Sequence, residues 1–135
     1  MKSIFFVTTA GIIMILAVLI GAFGAHGLAP YMNDTGKLIF QTGSKYHFFH
    51  GLALWMALLL SYHFKTDRLH LVFYLFLMGI ICFSGSLYLL SIREHLPEVA
   101  TKILGPLTPI GGLLFISGWT VLTIRLRPLL LQKPE

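Results

Sequence analysis

The sequence predicts an all-α integral membrane protein: a four-helix bundle of antiparallel, up-down topology with both termini in the cytoplasm. Three observations predict it. The chain of 135 residues is 56% hydrophobic and only 11% charged, with a mean hydropathy of +0.83, far from the composition of soluble domains. So small a soluble domain has too much surface to hide that many apolar side chains, and lipid supplies a second apolar environment. Four stretches free of Asp, Glu, Lys and Arg follow one another: Ser3 to Asn33, Tyr46 to Phe64, Leu69 to Ile92 and Ile103 to Ile124. Each meets or nearly meets the ~20 residues a helix needs to cross about 30 Å of hydrocarbon. Finally, Ile12 to Ile20 and Leu71 to Ile81 are apolar almost all round, as lipid-facing helices are, with no alternation to suit a barrel strand.

These windows place transmembrane helices at about residues 4–24, 45–64, 69–92 and 106–125 of a single membrane domain, 1–135. In the first, Lys2 precedes an apolar run that ends in small residues near Ala22 and Ala25, as in a signal peptide. The run from Ile4 to Phe23 is longer than the ~7–15 apolar residues of a cleavable signal, so this helix is expected to be retained. Ahead of the second helix, Asp34 or Thr35 is placed to cap an amphipathic lead-in from Gly36 to Ser44. The loop from Lys65 to Arg68 is so short that the second and third helices must be antiparallel neighbours. Before the fourth, Gly105, Pro106, Thr108 and Pro109 predict a bent or broken approach, because proline lacks the amide donor and clashes with the preceding turn. Irregular backbone at membrane depth is tolerated only inside protein or beside water.

Orientation follows from the cations. Lys2, Lys65, Arg68, Arg125, Arg127 and Lys133 fall on one predicted side, and Lys37, Lys45, Arg93 and Lys102 on the other. The positive-inside rule puts the side with six in the cytoplasm. The net charge of +5 thus reads as loop charge, and its scatter between apolar runs excludes the basic patch that nucleic-acid binding requires. Lys37 and Lys45 read as interfacial lysines with stems along apolar surface and amines in water. His63 and His70, bordering the cytoplasmic loop, and His95 in the third loop read as solvated. The lone Cys82 excludes an internal disulfide and reads as a small buried apolar residue.

Lipid gives helices no hydrophobic reason to associate, so close packing must come from small residues. Ala17, Gly21 and Ala25, four apart, line one face of the first helix, and Gly111, Gly112 and Gly118 serve the fourth. Polar residues collect on the predicted outer side: His26, then Tyr46, His47 and His50, then Ser84, Ser86 and Tyr88, with Thr108 opening the last helix. Polar groups are costly in a membrane unless paired, so a shared hydrogen-bonded network is expected.

These residues carry a family resemblance. The segments GAFGAHGL (Gly21 to Leu28), Tyr-x-x-x-His followed by Gly-Leu-Ala-Leu (Tyr46 to Leu54), FSGSLY (Phe83 to Tyr88), LGPLTPIGG (Leu104 to Gly112) and Gly118-Trp119 resemble the small bacterial inner-membrane proteins of domain of unknown function 423. The eukaryotic relatives of that family are the transmembrane protein 256 group. The resemblance covers most of the chain in the expected order and implies a four-helix, multi-pass protein of the inner (plasma) membrane, with no activity attached. It departs after the tyrosine, where the family commonly has glutamine and this chain has His47. Carry-over therefore covers His26, Tyr46, His50, Ser84, Ser86, Tyr88 and Thr108, and not His47.

The first expectation for this cluster is structural: histidines and hydroxyls satisfy each other and hold four helices in one arrangement. One alternative is a binding subunit or assembly factor of a larger membrane complex, or a homo-oligomer, since the extramembrane portion is too small for a catalytic domain. Trp119, Tyr88 and the Phe-rich faces could meet a partner, although lipid contact explains any one of them. Another alternative is a small-molecule, haem or metal site at His26 and His50. His47 and His50, three apart, share a helical face, but two histidines fall short of the four ligands of a structural zinc site. No metal and no cofactor is predicted. Nor is an enzyme, since phosphate loops, metalloprotease motifs and nucleophile elbows are absent from the sequence. Asp34, Asp67, Glu94, Glu98 and Glu135 all fall outside the four windows, which disfavours a carboxylate proton relay.

Overall fold

The computed structural model describes residues 2–131; Lys133 and Glu135, counted above among the tail charges, lie outside the described residues. The chain forms α1 (Lys2–His26), a 3₁₀ turn (Ala29–Tyr31), α2 (Asp34–His63), α3 (His70–Leu90), a second 3₁₀ turn (Arg93–His95) and α4 (Glu98–Leu130), with no strand among the described residues. A π-turn at Ile80–Ser84 interrupts the α-geometry of α3 without ending the helix.

Three of the four helices, Ile4–His26, His70–Leu90 and Glu98–Leu130, are long and apolar enough to cross a membrane. α2 has the length, 30 residues or about 45 Å, but is more polar. Lys37, Gln41 and Lys45 lie in its first half and His47, His50 and Ser61 on its buried face. Counting charges alone does not separate it from the others, whereas hydropathy does.

Two helix starts differ from expectation. The cap of α2 is Asn33, not Asp34 or Thr35: its side chain accepts from the Gly36 amide at 2.7 Å, leaving Asp34 in the first turn, where a carboxylate suits the helix dipole. The lead-in is continuous with the rest of α2. α4 begins at Glu98 rather than near 106 and runs unbroken through Pro106, Pro109 and Pro128. A proline frees the carbonyl four residues before it; those freed by Pro106 and Pro109 belong to Lys102 and Gly105, both exposed. The turns ahead of the prolines are held by Lys102 on Glu98 at 2.8 Å and by Thr101 Oγ1 donating to Glu98 O at 2.8 Å.

The buried residues explain the packing. On α2 they include Gly36, Phe40, Gly43, His47, His50, Leu54, Ala57 and Ser61, an alternation of four and three that keeps one seam facing a neighbouring helix. α1 buries Phe6, Ala10, Ile13 and Ala17, and α4 buries Gly111, Phe115, Gly118 and Leu122, in the same rhythm. The backbones pack α1 on α2, α2 on α3 and α3 on α4. The largest core side chains are Phe73, Phe76, Leu54, Leu69 and Val72; Phe73 packs on Phe6 of α1 and Phe76 on Trp119 of α4. Outward faces are apolar too: Ile15, Val18 and Leu19 on α1 and Leu113, Ile116 and Ile124 on α4 are exposed, as lipid contact requires.

Glycines set the closest approaches. A Cβ at Gly111 would strike the Phe83 backbone, and one at Gly118 would lie 2.5 Å from the Phe76 ring; at Gly112 it would be an ordinary 3.8 Å from Phe83. Of the α1 stripe, Ala17 is buried, Gly21 faces Ser44 and Ala25 is exposed. The buried small residue at that end is Gly24, against Phe40. Gly36 against Ser91 O, Gly51 against Met14 and Gly79 against Phe115 serve the same purpose.

The connections gather in two groups. Asn33 Nδ2 donates to Glu94 Oε1 at 2.6 Å, and Tyr31 meets His95 edge-on at 5.8 Å, joining the segments after α1 and α3. At the other end, Phe6 stacks on His70 at 4.4 Å and Arg125 donates to Arg68 O. His63 and His95 are exposed as expected. His70 is not simply solvated: it is half-buried under Phe6, with Nε2 3.4 Å from Asp67.

Candidate functional site

Instead of one shared network, the polar residues form three separate hydrogen-bonded groups, and the most buried imidazole is the one the resemblance left out. His47, 3% exposed, reaches from the seam of α2 to both neighbours. Its Nε2 lies 3.0 Å from Ile13 O on α1 and its Nδ1 3.0 Å from the Tyr88 hydroxyl on α3. A carbonyl only accepts, so Nε2 carries the proton, and Nδ1 of the neutral ring accepts from Tyr88.

The second group centres on His50, 6% exposed. Nδ1 donates to Tyr46 O at 2.9 Å, and Nε2 accepts from the Trp119 indole N–H on α4 at 3.1 Å. An indole only donates and a carbonyl only accepts, so this arrangement admits one tautomer, neutral with its proton on Nδ1. Aromatic rings enclose it: Phe115 stacks on the imidazole at 3.5 Å and 13°, Phe76 lies at 5.5 Å, and the Tyr46 ring stacks at 5.8 Å. Tyr46 takes part through its backbone and ring.

The third group joins α3 to α4. The Ser86 and Thr108 hydroxyls meet at 2.7 Å, Ser86 Oγ also donates to Phe83 O at 2.9 Å, and Thr108 Oγ1 reaches back toward Leu104 O at 3.5 Å. Ser91 Oγ donates to Tyr88 O at 2.7 Å, closing the end of α3. Ser84 is fully buried, and its Oγ is the one buried side-chain oxygen or nitrogen among the described residues without a hydrogen-bond partner.

His26 joins none of these groups. It is exposed at the end of α1, whereas His50 is level with Met14, the neighbour of Gly51, about 18 Å back along α1. The polar cluster thus extends from the loop-one end to the middle of the helices. The four ring nitrogens of His47 and His50 are all engaged, and among the described residues no three His, Cys, Asp or Glu are grouped as metal ligands.

The sequence places His47 among the polar residues of the second helix, but the resemblance does not carry it into the site; the spacing Phe40, Gly43, His47, His50, Leu54 marks it as a seam residue. Trp119 reads in the sequence as a lipid or partner contact; its spacings of 3, 4 and 3 from Ile116, Phe115 and Leu122 carry no sign of a histidine partner.

Comparison with known proteins agrees with the resemblance. The profile of the family described as "Protein of unknown function (DUF423)" matches residues 20–112. A UPF0382 membrane protein of Staphylococcus epidermidis is 39% identical over 88% of this chain and 92% of its own length. UPF0382 membrane protein YwdK of Bacillus subtilis is 36% identical over 88% of this chain and 93% of its own. UPF0382 membrane protein SH2409 of Staphylococcus haemolyticus is 35% identical over 88% and 92%. No solved structure matches the chain. With the profile spanning most of the motifs quoted above and membrane-protein relatives aligned nearly end to end, the chain belongs to the DUF423 family.

Proposed function

We propose that this protein is a non-catalytic, multi-pass scaffold of the inner (plasma) membrane, an antiparallel up-down bundle of four spans with both termini in the cytoplasm. Its histidine and hydroxyl groups serve to fix helix packing. One observation carries the structural role: His50 has a hydrogen-bond partner on each ring nitrogen and a phenyl ring on its face. An imidazole so engaged has no lone pair free for a ligand, and its contacts tie α2 to α4. The four-span reading is supported by opposite residue order in two neighbouring pairs, Gly24 with Phe40 and Gly51 with Met14 for α1 and α2, and Gly111 with Phe83 and Gly118 with Phe76 for α3 and α4.

Interhelical hydrogen bonds in bilayers contribute about 0.6 kcal/mol on average and up to about 1.7. Replacing Trp119 with Phe removes the donor and leaves Nε2 buried and unpaired, so Trp119→Phe is expected to cost an amount in that range. His50→Ala, which also removes the stack on Phe115, should cost more. Thermal unfolding in detergent measures both, and a melting temperature unchanged in His50→Ala would defeat the proposal. A metal detected by elemental analysis, or a haem absorption band in the purified protein, would instead move His50 to a ligand role.

A further inference from the structure

Beside the contact of Gly24 with Phe40, α1 and α2 border an open groove of about 740 Å³ near the loop-one end. Its floor is the small-residue stripe Ala17, Gly21 and Ala25; its far wall carries Gln41, Ser44 and Lys45, with Phe48 and Phe49 deeper in. Gln41, Ser44 and Lys45 thus form a polar, cationic level, with Met32, Lys37 and Phe40 on the loop side of it and apolar surface toward the middle of the helices, where an acyl chain can lie. The groove's volume is that of a small-molecule site.

Lys45 makes the occupant specific. It lies three turns inside α2, about 16 Å from the first residue, and is level with Gly21, whose Cβ would sit 3.5 Å from Ser44 Oγ. α1 continues for more than another turn beyond that level with the exposed Phe23, so the amine emerges where the adjoining helix surface is apolar. Among the described residues no carboxylate pairs with Lys45, whereas Lys37, nearer the loop, is engaged by Asp34 at 3.1 Å and Lys102 by Glu98. Lys45 borders the second uncharged window, at the level of the lipid headgroups, where an unpaired amine attracts an anionic partner. The floor of small residues admits a chain alongside α1, and Gln41 and Ser44 offer neutral hydrogen bonds beside the amine.

We propose that this groove binds an anionic phospholipid, with its phosphate on Lys45 and Gln41 and one acyl chain along Ala17, Gly21 and Phe48. The proposal rests on the membrane-spanning reading but not on the structural role of the histidines. A second copy of the chain, docked through the same stripe, is the competing occupant; it would supply small apolar residues and no anion.

Native mass spectrometry of protein purified in mild detergent, titrated with phosphatidylglycerol or phosphatidylcholine, tests it. Phosphatidylglycerol should be retained selectively, and Lys45→Gln should lower its retention about tenfold, the scale of one charge-assisted hydrogen bond. Lys45→Arg should keep it, and Gly21→Leu, which fills the floor, should abolish it. Lys45 is exposed, so the melting temperature of Lys45→Gln without added lipid should match the parent and exclude misfolding. Equal retention of both lipids, no loss in Lys45→Gln, or a dimer that Gly21→Leu dissociates would each overturn the site. None of these would move the His50→Ala result, on which the scaffold reading stands.

Discussion

Ser84 is the residue whose chemistry is least satisfied. Its hydroxyl is buried between α2 and α4 with no partner, while Ser86, two residues on, donates to Phe83 O and meets Thr108. An unpaired buried hydroxyl costs about 1–3 kcal/mol, whereas a made hydrogen bond contributes about 1. Ser84→Ala should therefore raise the melting temperature in detergent and Ser86→Ala should lower it; the opposite order would show that Ser84 holds a partner its neighbours do not provide. Both serines stand in FSGSLY, and the sequence treats them alike. What separates them is the π-turn at Ile80–Ser84, which changes the phase of α3 and has no residue signature of its own. The same limit applies to Trp119: its indole N–H needs an acceptor, but only the packed structure shows that His50 supplies it.

At the scale of the element, helix contacts are decided by where backbones meet. Gly111 and Gly112 are adjacent in TPIGG, yet a Cβ at the first would run into the Phe83 backbone and at the second would make ordinary contact with the ring. Backbone cannot move aside as the end of a side chain can, so Gly111→Ala should cost about 1–3 kcal/mol, the usual range for overpacking. Gly112→Ala should be close to neutral in the same unfolding measurement. Equal effects would mean that α3 and α4 are not packed in this register. Enrichment in small residues was legible in the sequence, as was their service to packing. The register was not, because Gly111, Gly112 and Gly118 satisfy any close helix pair equally well. The start of α4 was misjudged for a related reason: Gly105, Pro106 and Pro109 are poor helix residues, but they stand where exposed carbonyls tolerate lost donors and where Glu98, Thr101 and Lys102 have already formed the preceding turns.

For the whole molecule, the number and order of helices were legible because four apolar windows follow one another, although α2 begins ahead of its window and runs through Lys37 and Lys45, and α4 runs through Lys102. Sidedness rests on a margin of six cations to four, and the structure adds a constraint that charge counting lacks. The segments following α1 and α3 are tied by Asn33 and Glu94, while the start of α1, the turn after α2 and the end of α4 meet through Phe6, His70, Arg68 and Arg125. The positive-inside rule then assigns both connections of the first group, or both of its opposite, to one side together. Cysteine labelling examines this directly. In a Cys82→Ser background, His95→Cys should react with a membrane-impermeant maleimide in intact cells, and Asp67→Cys, also exposed, should react only after permeabilisation. The reverse pattern would invert the orientation while preserving the up-down path. Labelling of both in intact cells would break the path itself, because it would place on one face of the membrane two loops that a single passage of α3 must separate.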